Sequence, residues 1–143
     1  MLVKIKRVDK SLPLPQYKTK GAVCFDCVAR EAKTIEPGNI GYVPLNICIE
    51  PPAGHFVLMA ARSSLHKKGL IMANGVGIFD EDFAGNDDEY QAILFNHTNE
   101  PVSVEKGERI TQIMILPHNR HEWGEVDDMG KDNRGGIGST GAV

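Results

Sequence analysis

Fifteen glycines and eight prolines are spread along 143 residues, so no stretch runs far before a turn-forming residue interrupts it. Proline removes a backbone donor and glycine costs about 1 kcal/mol against alanine inside a helix, so long helices are ruled out over most of the chain. What remains between the interruptions is a series of short alternating or apolar runs: "LVKIKRV", "GYVPLNICI", "HFVLMAA", "YQAILFN", "VSVEK" and "RITQIMIL". Each is bounded by turn residues and reads as a strand. One segment, "SSLHKKGLIM", predicts a single short helix that starts at a Ser and ends at Gly69. The expected fold is all-β, a closed barrel or sandwich of many short strands spanning residues 1–133. The last residues, 134–143, lie in a Gly-rich segment with few apolar side chains and are expected to form a flexible tail outside the core. Such a tail can still close over a ligand.

The length suits one domain. With 41% hydrophobic and 24% charged residues, the composition is that of a soluble protein and contains no membrane span. The opening "MLVKIKRVDK" lacks the apolar run of a signal peptide, so a cytoplasmic location is expected and no membrane partner is. A net charge of −3 argues against a nucleic-acid surface, although a few local cations or a metal could hold a small anion. Three cysteines, Cys24, Cys27 and Cys48, are too few for a disulfide framework. "CFDC" satisfies C-x-x-C but has neither a second pair for zinc nor a helix behind it, so reduced thiols are expected.

Several constellations could carry chemistry. In "AARSSL", Arg62 offers a planar fork of donors to phosphate oxygens, and Ser63 and Ser64 add hydroxyls beside the free N–H groups of a helix start. The same residues equally describe a helix cap with an exposed Arg. The stretch "GIFDEDFAGNDDEY" concentrates six acids: Asp80, Glu81, Asp82, Asp87, Asp88 and Glu89. A calcium loop fits at Asp80, Asp82 and Gly85 but fails at Ala84 and Gln91, which leaves a glycine-containing hairpin with Asp80 and Phe83 near its turn. Gln112 stands in an otherwise apolar strand, where its amide must find either backbone partners or a ligand. "RGGIGSTG" combines Arg134, Ser139 and Thr140 with flexible glycines, as a phosphate-binding loop would. No P-loop sequence is present.

Taken in order, "LPQYKTKGAVCFDC", "ARSSL", "NGVGIFDEDFAG", "GERITQI" and "RGGIGSTG" span residues 14 to 141 and resemble the five motifs of the trimeric dUTPase family. The resemblance implies a jelly-roll-like β-barrel, a homotrimer with shared active sites, and Mg²⁺-dependent hydrolysis of dUTP to dUMP and pyrophosphate, which keeps uracil out of DNA. It also assigns roles. Asp80 is the catalytic carboxylate; Arg62, Ser63, Ser64, Gln112, Arg134, Ser139 and Thr140 hold phosphates; Asp26 meets the metal through water. Asn74 and the hairpin backbone at Gly77 read uracil, Phe83 packs under the deoxyribose where the family usually has Tyr, and Ile137 stands where a Phe stacks on the base.

Departures accompany the match. Ala61 replaces a Pro, Val23 and Cys24 replace a small Ala-Gly pair, the tail is two residues shorter before Ile137, and about three extra residues follow Gly85. The extra residues are expected to bulge outward with Asp87, Asp88 and Glu89. The same-fold alternative, a dCTP deaminase, places a Glu three residues before the Asn closing the following strand; here Ile93 precedes Asn96. A non-catalytic nucleotide-binding member of the fold would be expected to have lost Asp80 or Arg62, and neither is lost. An unrelated β-barrel interaction module is the remaining alternative.

Overall fold

The computed structural model describes residues 1–142; Val143, the last tail residue, lies outside the described residues. The chain forms an antiparallel jelly-roll β-barrel of short strands: β1 (Lys4–Arg7), β2 (Phe25–Val28), β3 (Lys33–Ile35), β4 (Ile40–Pro44), β5 (Ile47–Glu50), β6 (His55–Ala61), β7 (Leu70–Met72), β8 (Gly77–Phe79), β9 (Gln91–Asn96), β10 (Val102–Val104) and β11 (Arg109–Pro117). They pair as β1–β5, β3–β10, β2–β11–β6–β8 and β4–β9–β7. The core gathers one side chain in two from the long strands, among them Val43, Val57, Met59, Leu94 and Ile113, as the pleat requires.

Two expectations change. "GYVPLNICI" is not one strand but β4 and β5, broken at the buried Asn46, whose φ is +71°. The Asn46 side chain stabilises that break by gripping the Asp9 backbone, accepting its N–H and donating to its carbonyl at 3.0 Å. Alternation alone cannot reveal such a break, because the deciding property is tolerance of a left-handed backbone. The helix predicted over "SSLHKKGLIM" is only a 3₁₀ turn, Leu65–Lys68, followed by β7. Gly69, at φ +89°, ends the turn, and Leu70–Met72 then pair with β9. Leu65 is the one buried side chain of the turn, too little apolar surface to hold a longer helix. Ser63 and Ser64 therefore do not sit at the start of a true helix.

The outward face of β4–β9–β7 is apolar. Ile40 and Ile71 flank Phe95 in one row, with Tyr42 beside Ile93 in the next. Ile40, Tyr42 and Ile71 are about half exposed at 54%, 55% and 45%. A contiguous patch of this kind on a sheet face is uncommon on a protein that stays alone.

The acids after Gly85 are unequal. Glu89 makes a two-oxygen ion pair with Arg30 Nε at 2.7 and 2.9 Å, with its side chain 11% exposed. Asp88 Oδ2 accepts the Gly85 N–H at 2.8 Å, while Lys6 Nζ donates to the Asn86 carbonyl at 2.8 Å. The bulge is thus pinned at three points. Glu89→Gln is expected to lose about 1.5–3 kcal/mol of stability, the range for a hydrogen bond to a charged group. Thermal melts check this: Tm drops by a few degrees for Glu89→Gln and stays put for Asp87→Ser.

Candidate active site

Two separate clusters form on the sheet β2–β11–β6–β8. At one end, the register sets Asp26 opposite Gln112 and Gln112 opposite Ala60. Asp26, at 15% side-chain exposure, takes Arg109 Nη1 on Oδ2 at 2.9 Å and Arg62 Nε on Oδ1 at 3.3 Å. Arg62 also donates through Nη1 to the Arg109 carbonyl at 3.2 Å, and Gln112 donates through Nε2 to the Ala61 carbonyl at 3.0 Å. One carboxylate thus orients two guanidinium groups, each with further N–H donors to offer and with a positive charge left over between them. They border a cavity of about 320 Å³ together with Ser64 and Lys68, the latter balanced by Glu108 at 2.7 Å. The Ser64 hydroxyl caps nothing and Ser63 is exposed. This corner can offer several N–H donors to an anion with several oxygens.

Arg109 was not singled out by the motif roles above. In a regular strand it would share a face with Thr111, away from Gln112 and Asp26. A bulge between Arg109 and Thr111 shifts the register and brings it to the Asp26 side. The Arg in "GERITQI" was legible as a cation, but its face was not.

At the other end of the sheet, β8 leads into the acidic turn; β8 pairs with β6 and β7 with β9, so the expected hairpin is instead a short strand followed by a turn. A groove of about 940 Å³ is lined by Phe56, Ile78, Asp80, Glu81, His118 and Arg120, among others. The carboxylate of Asp80 makes no hydrogen bond or ion pair among the described residues, so it is free to take a proton or meet a ligand. The turn is closed by the Phe83 N–H donating to the Asp80 carbonyl at 3.2 Å. Phe83 rests on two rings: Phe79 and Tyr90 stack at 3.8 Å, and Phe83 lies 5.9 and 6.0 Å from them. Asn74 is exposed, and its carbonyl accepts the Val76 N–H at 2.9 Å. Gly77 is buried; a Cβ there would come within 3.2 Å of Met59 and Phe79, so a side chain would fit only if those neighbours shifted by a few tenths of an ångström.

The two clusters do not meet within one chain. Phe79 faces Val57 whereas Gln112 faces Ala60, an offset of about 10 Å along β6, and β11 and β8 lie on opposite sides of that strand. Among its described residues the tail joins neither. The hydrogen bonds there stay local: Ser139 Oγ accepts the Gly136 N–H at 2.6 Å, and Arg134 Nη1 reaches the Gly135 carbonyl at 3.5 Å. Ile137 is fully exposed, and Thr140 lies in a turn closed by the Gly141 N–H on the Gly138 carbonyl at 3.2 Å. Beyond β11, residues 119 to 135 are exposed throughout.

Comparison with known proteins gives this geometry a context. The sequence profile of the dUTPase family matches residues 10–141. The chain belongs to the dUTPase family. It is 42% identical over 141 residues to the deoxyuridine 5'-triphosphate nucleotidohydrolase of Desulfitobacterium hafniense, across 94% of this chain and 91% of the relative. With the enzyme of that name from an Anaeromyxobacter species it shares 39% over 145 residues, 97% of each chain. Among solved structures, the Streptococcus mutans dUTPase superposes with a TM-score of 0.75 at 28% identity, covering 83% of this chain and 98% of the other. A staphylococcal phage 80alpha dUTPase mutant with dUpNHpp gives 0.83 at 20% identity over 98% of both chains, a likeness of fold.

For a dUTPase, the donor set bears on the metal. Among the described residues no three His, Cys, Asp or Glu side chains converge as a cage. Asp26 already holds a guanidinium on each oxygen, leaving lone pairs for water rather than room for a bare ion. This fits Mg²⁺ carried on phosphates with much of its water shell retained. "CFDC" offers no alternative: the three cysteines are free, and burial pushes the Cys27 thiol up to about 12.

Proposed function

We propose that the protein hydrolyses dUTP to dUMP and pyrophosphate as a homotrimer, with each active site shared between copies. The observation that carries this reading is the division of one family's motifs between two ends of one sheet. The turn after β8 bears an uncommitted carboxylate away from Arg62, Arg109 and Gln112, and in their corner Asp26 and Glu108 are already paired with cations. A second copy that brings its corner to the turn of the first unites the two. The apolar outward face of β4–β9–β7 supports association, since it leaves Ile40, Tyr42 and Ile71 half exposed.

In the assembled site, Asn74 and the backbone at Gly77 read the uracil edge, and Phe83 fills the space below the deoxyribose. Arg62, Ser63, Ser64 and Gln112 hold the phosphates, with Arg109 beside them. Arg134, Ser139 and Thr140 close over the phosphate chain, and Ile137 covers the base. Asp80 removes a proton from a water aimed at the α-phosphorus; the new P–O bond forms as the bridging oxygen departs with pyrophosphate. Mg²⁺, when bound, would supply charge neutralisation on the phosphates, and Asp26 would hold it through water. The guanidinium groups stabilise the charge that grows on the leaving group.

The test is pyrophosphate release from a panel of deoxynucleoside triphosphates and UTP with Mg²⁺, run beside ammonia detection. Turnover of dUTP alone supports the reading. Ammonia from dCTP would favour the deaminase, against which stands Ile93 in place of an acid, and no turnover at all would favour a binding protein. Phe83→Ala is expected to raise kcat/KM for UTP relative to dUTP, because the ring occupies the space a 2′-hydroxyl needs. An unchanged ratio in a folded variant removes Phe83 from the site.

A further inference from the structure

Aromatic packing anchors one side of the acidic turn, and the other side is held through Glu81. Glu81 Oε2 accepts the N–H of Gly54, in the turn between β5 and β6, at 3.2 Å. The same oxygen lies 3.1 Å from Nε2 of His118, the first residue beyond β11. His118 in turn donates its backbone N–H to the Gly54 carbonyl at 2.9 Å. Three distant pieces of chain are thereby joined in a ring of contacts: the β5–β6 turn, the acidic turn and a strand end. An ionised carboxylate only accepts, so Nε2 carries the hydrogen. The His118 contact, followed by the Gly54 N–H, holds the Glu81 carboxyl below its ordinary range. Phe56 packs edge-on against the imidazole, with ring centres 6.3 Å apart.

Asp80 has no side-chain partner of its own among the described residues, so its aim depends on the backbone either side of it. Phe79 is stacked on Tyr90 before it, and Phe83 closes the turn after it. Between them, the only side chain tied to the rest of the barrel is that of Glu81. We infer that Glu81, clasped by His118 and Gly54, is a positioning residue that fixes the peptide carrying Asp80 so that this base meets its water. The inference rests on the reading of Asp80 as the base. Glu81 itself touches neither nucleotide nor phosphate in this scheme; it acts through Asp80. A reacting group displaced by a fraction of an ångström loses rate while binding is kept, so the signature is in kcat.

The experiment uses the full-length protein and dUTP with Mg²⁺. Glu81→Ala and His118→Ala are each expected to lower kcat about tenfold or more with KM within about twofold. The double variant is expected to be no slower than the slower single, since either change opens the same clasp. His118→Gln offers an amide N–H in place of Nε2–H and is expected to recover most of the loss; a mere change of local charge would move KM and would not be rescued by a neutral side chain. Asp80→Asn is measured alongside. Parent-like kcat in Glu81→Ala beside an inactive Asp80→Asn overturns the clasp alone, as do fully additive losses in the double variant. Full activity in Asp80→Asn overturns the reading of the base itself.

Discussion

Asp80→Asn is expected to fold and bind dUTP as the parent does while kcat falls by about 10² to 10⁴, the range for loss of a positioned general base. Asparagine is nearly the same shape, so the turn closed by the Phe83 N–H and the ring contacts beneath it remain. What disappears is the ability to accept a proton. The carboxylate of Asp80 engages no partner among the described residues, so the substitution breaks no native contact and stability should hold. Single-turnover kinetics with Mg²⁺, paired with a binding isotherm for dUTP, separates the two effects. Full turnover in this variant together with an inactive Asp82→Asn would move the base two residues along the chain.

Ending the chain at Asn133 is expected to leave Tm within a few degrees yet cut kcat/KM for dUTP at least a hundredfold, or about 2.7 kcal/mol of transition-state stabilisation. Stability should survive because, among the described residues of the removed segment, Ile137 is fully exposed and the hydrogen bonds of Ser139 and Arg134 stay within the tail. Its left-handed backbone at Gly135, Gly138 and Gly141 suits a loop that wraps an anion with its N–H groups. Without it, the phosphates lose those donors, the Arg134 guanidinium and shelter from bulk water. The measurement is a melt and a steady-state assay on the same preparation. A truncated protein as active as the intact one would take Arg134, Ser139 and Thr140 out of the site.

Much of this was legible in the sequence, for reasons that are physical. "HFVLMAA" and "RITQIMIL" became β6 and β11, because strands buried along one face carry a strong alternating signal. β3, β7 and β8 are three residues each, too short for any period to show. The break at Asn46 and the shift of register at Arg109 were hidden because both are single-residue departures that alternation averages away. Asp80 was singled out through the order of its segment relative to the other motifs, whereas Glu81, His118 and Gly54, far apart in sequence, could not be linked without coordinates.

The three packed rings of Phe79, Phe83 and Tyr90 have an architectural consequence. Phe83 precedes the extra residues and Tyr90 follows them, so the chain leaves the barrel and returns to it beside the same ring. A loop stapled at its base transmits little of its own length to what lies outside the staple, and each doubling of a flexible loop costs only about 0.6 kcal/mol in closure. The stretch between the rings is therefore a tolerant graft point. There the barrel can acquire residues, and with them new outward surface, while the neighbouring turn that carries Asp80 keeps its shape.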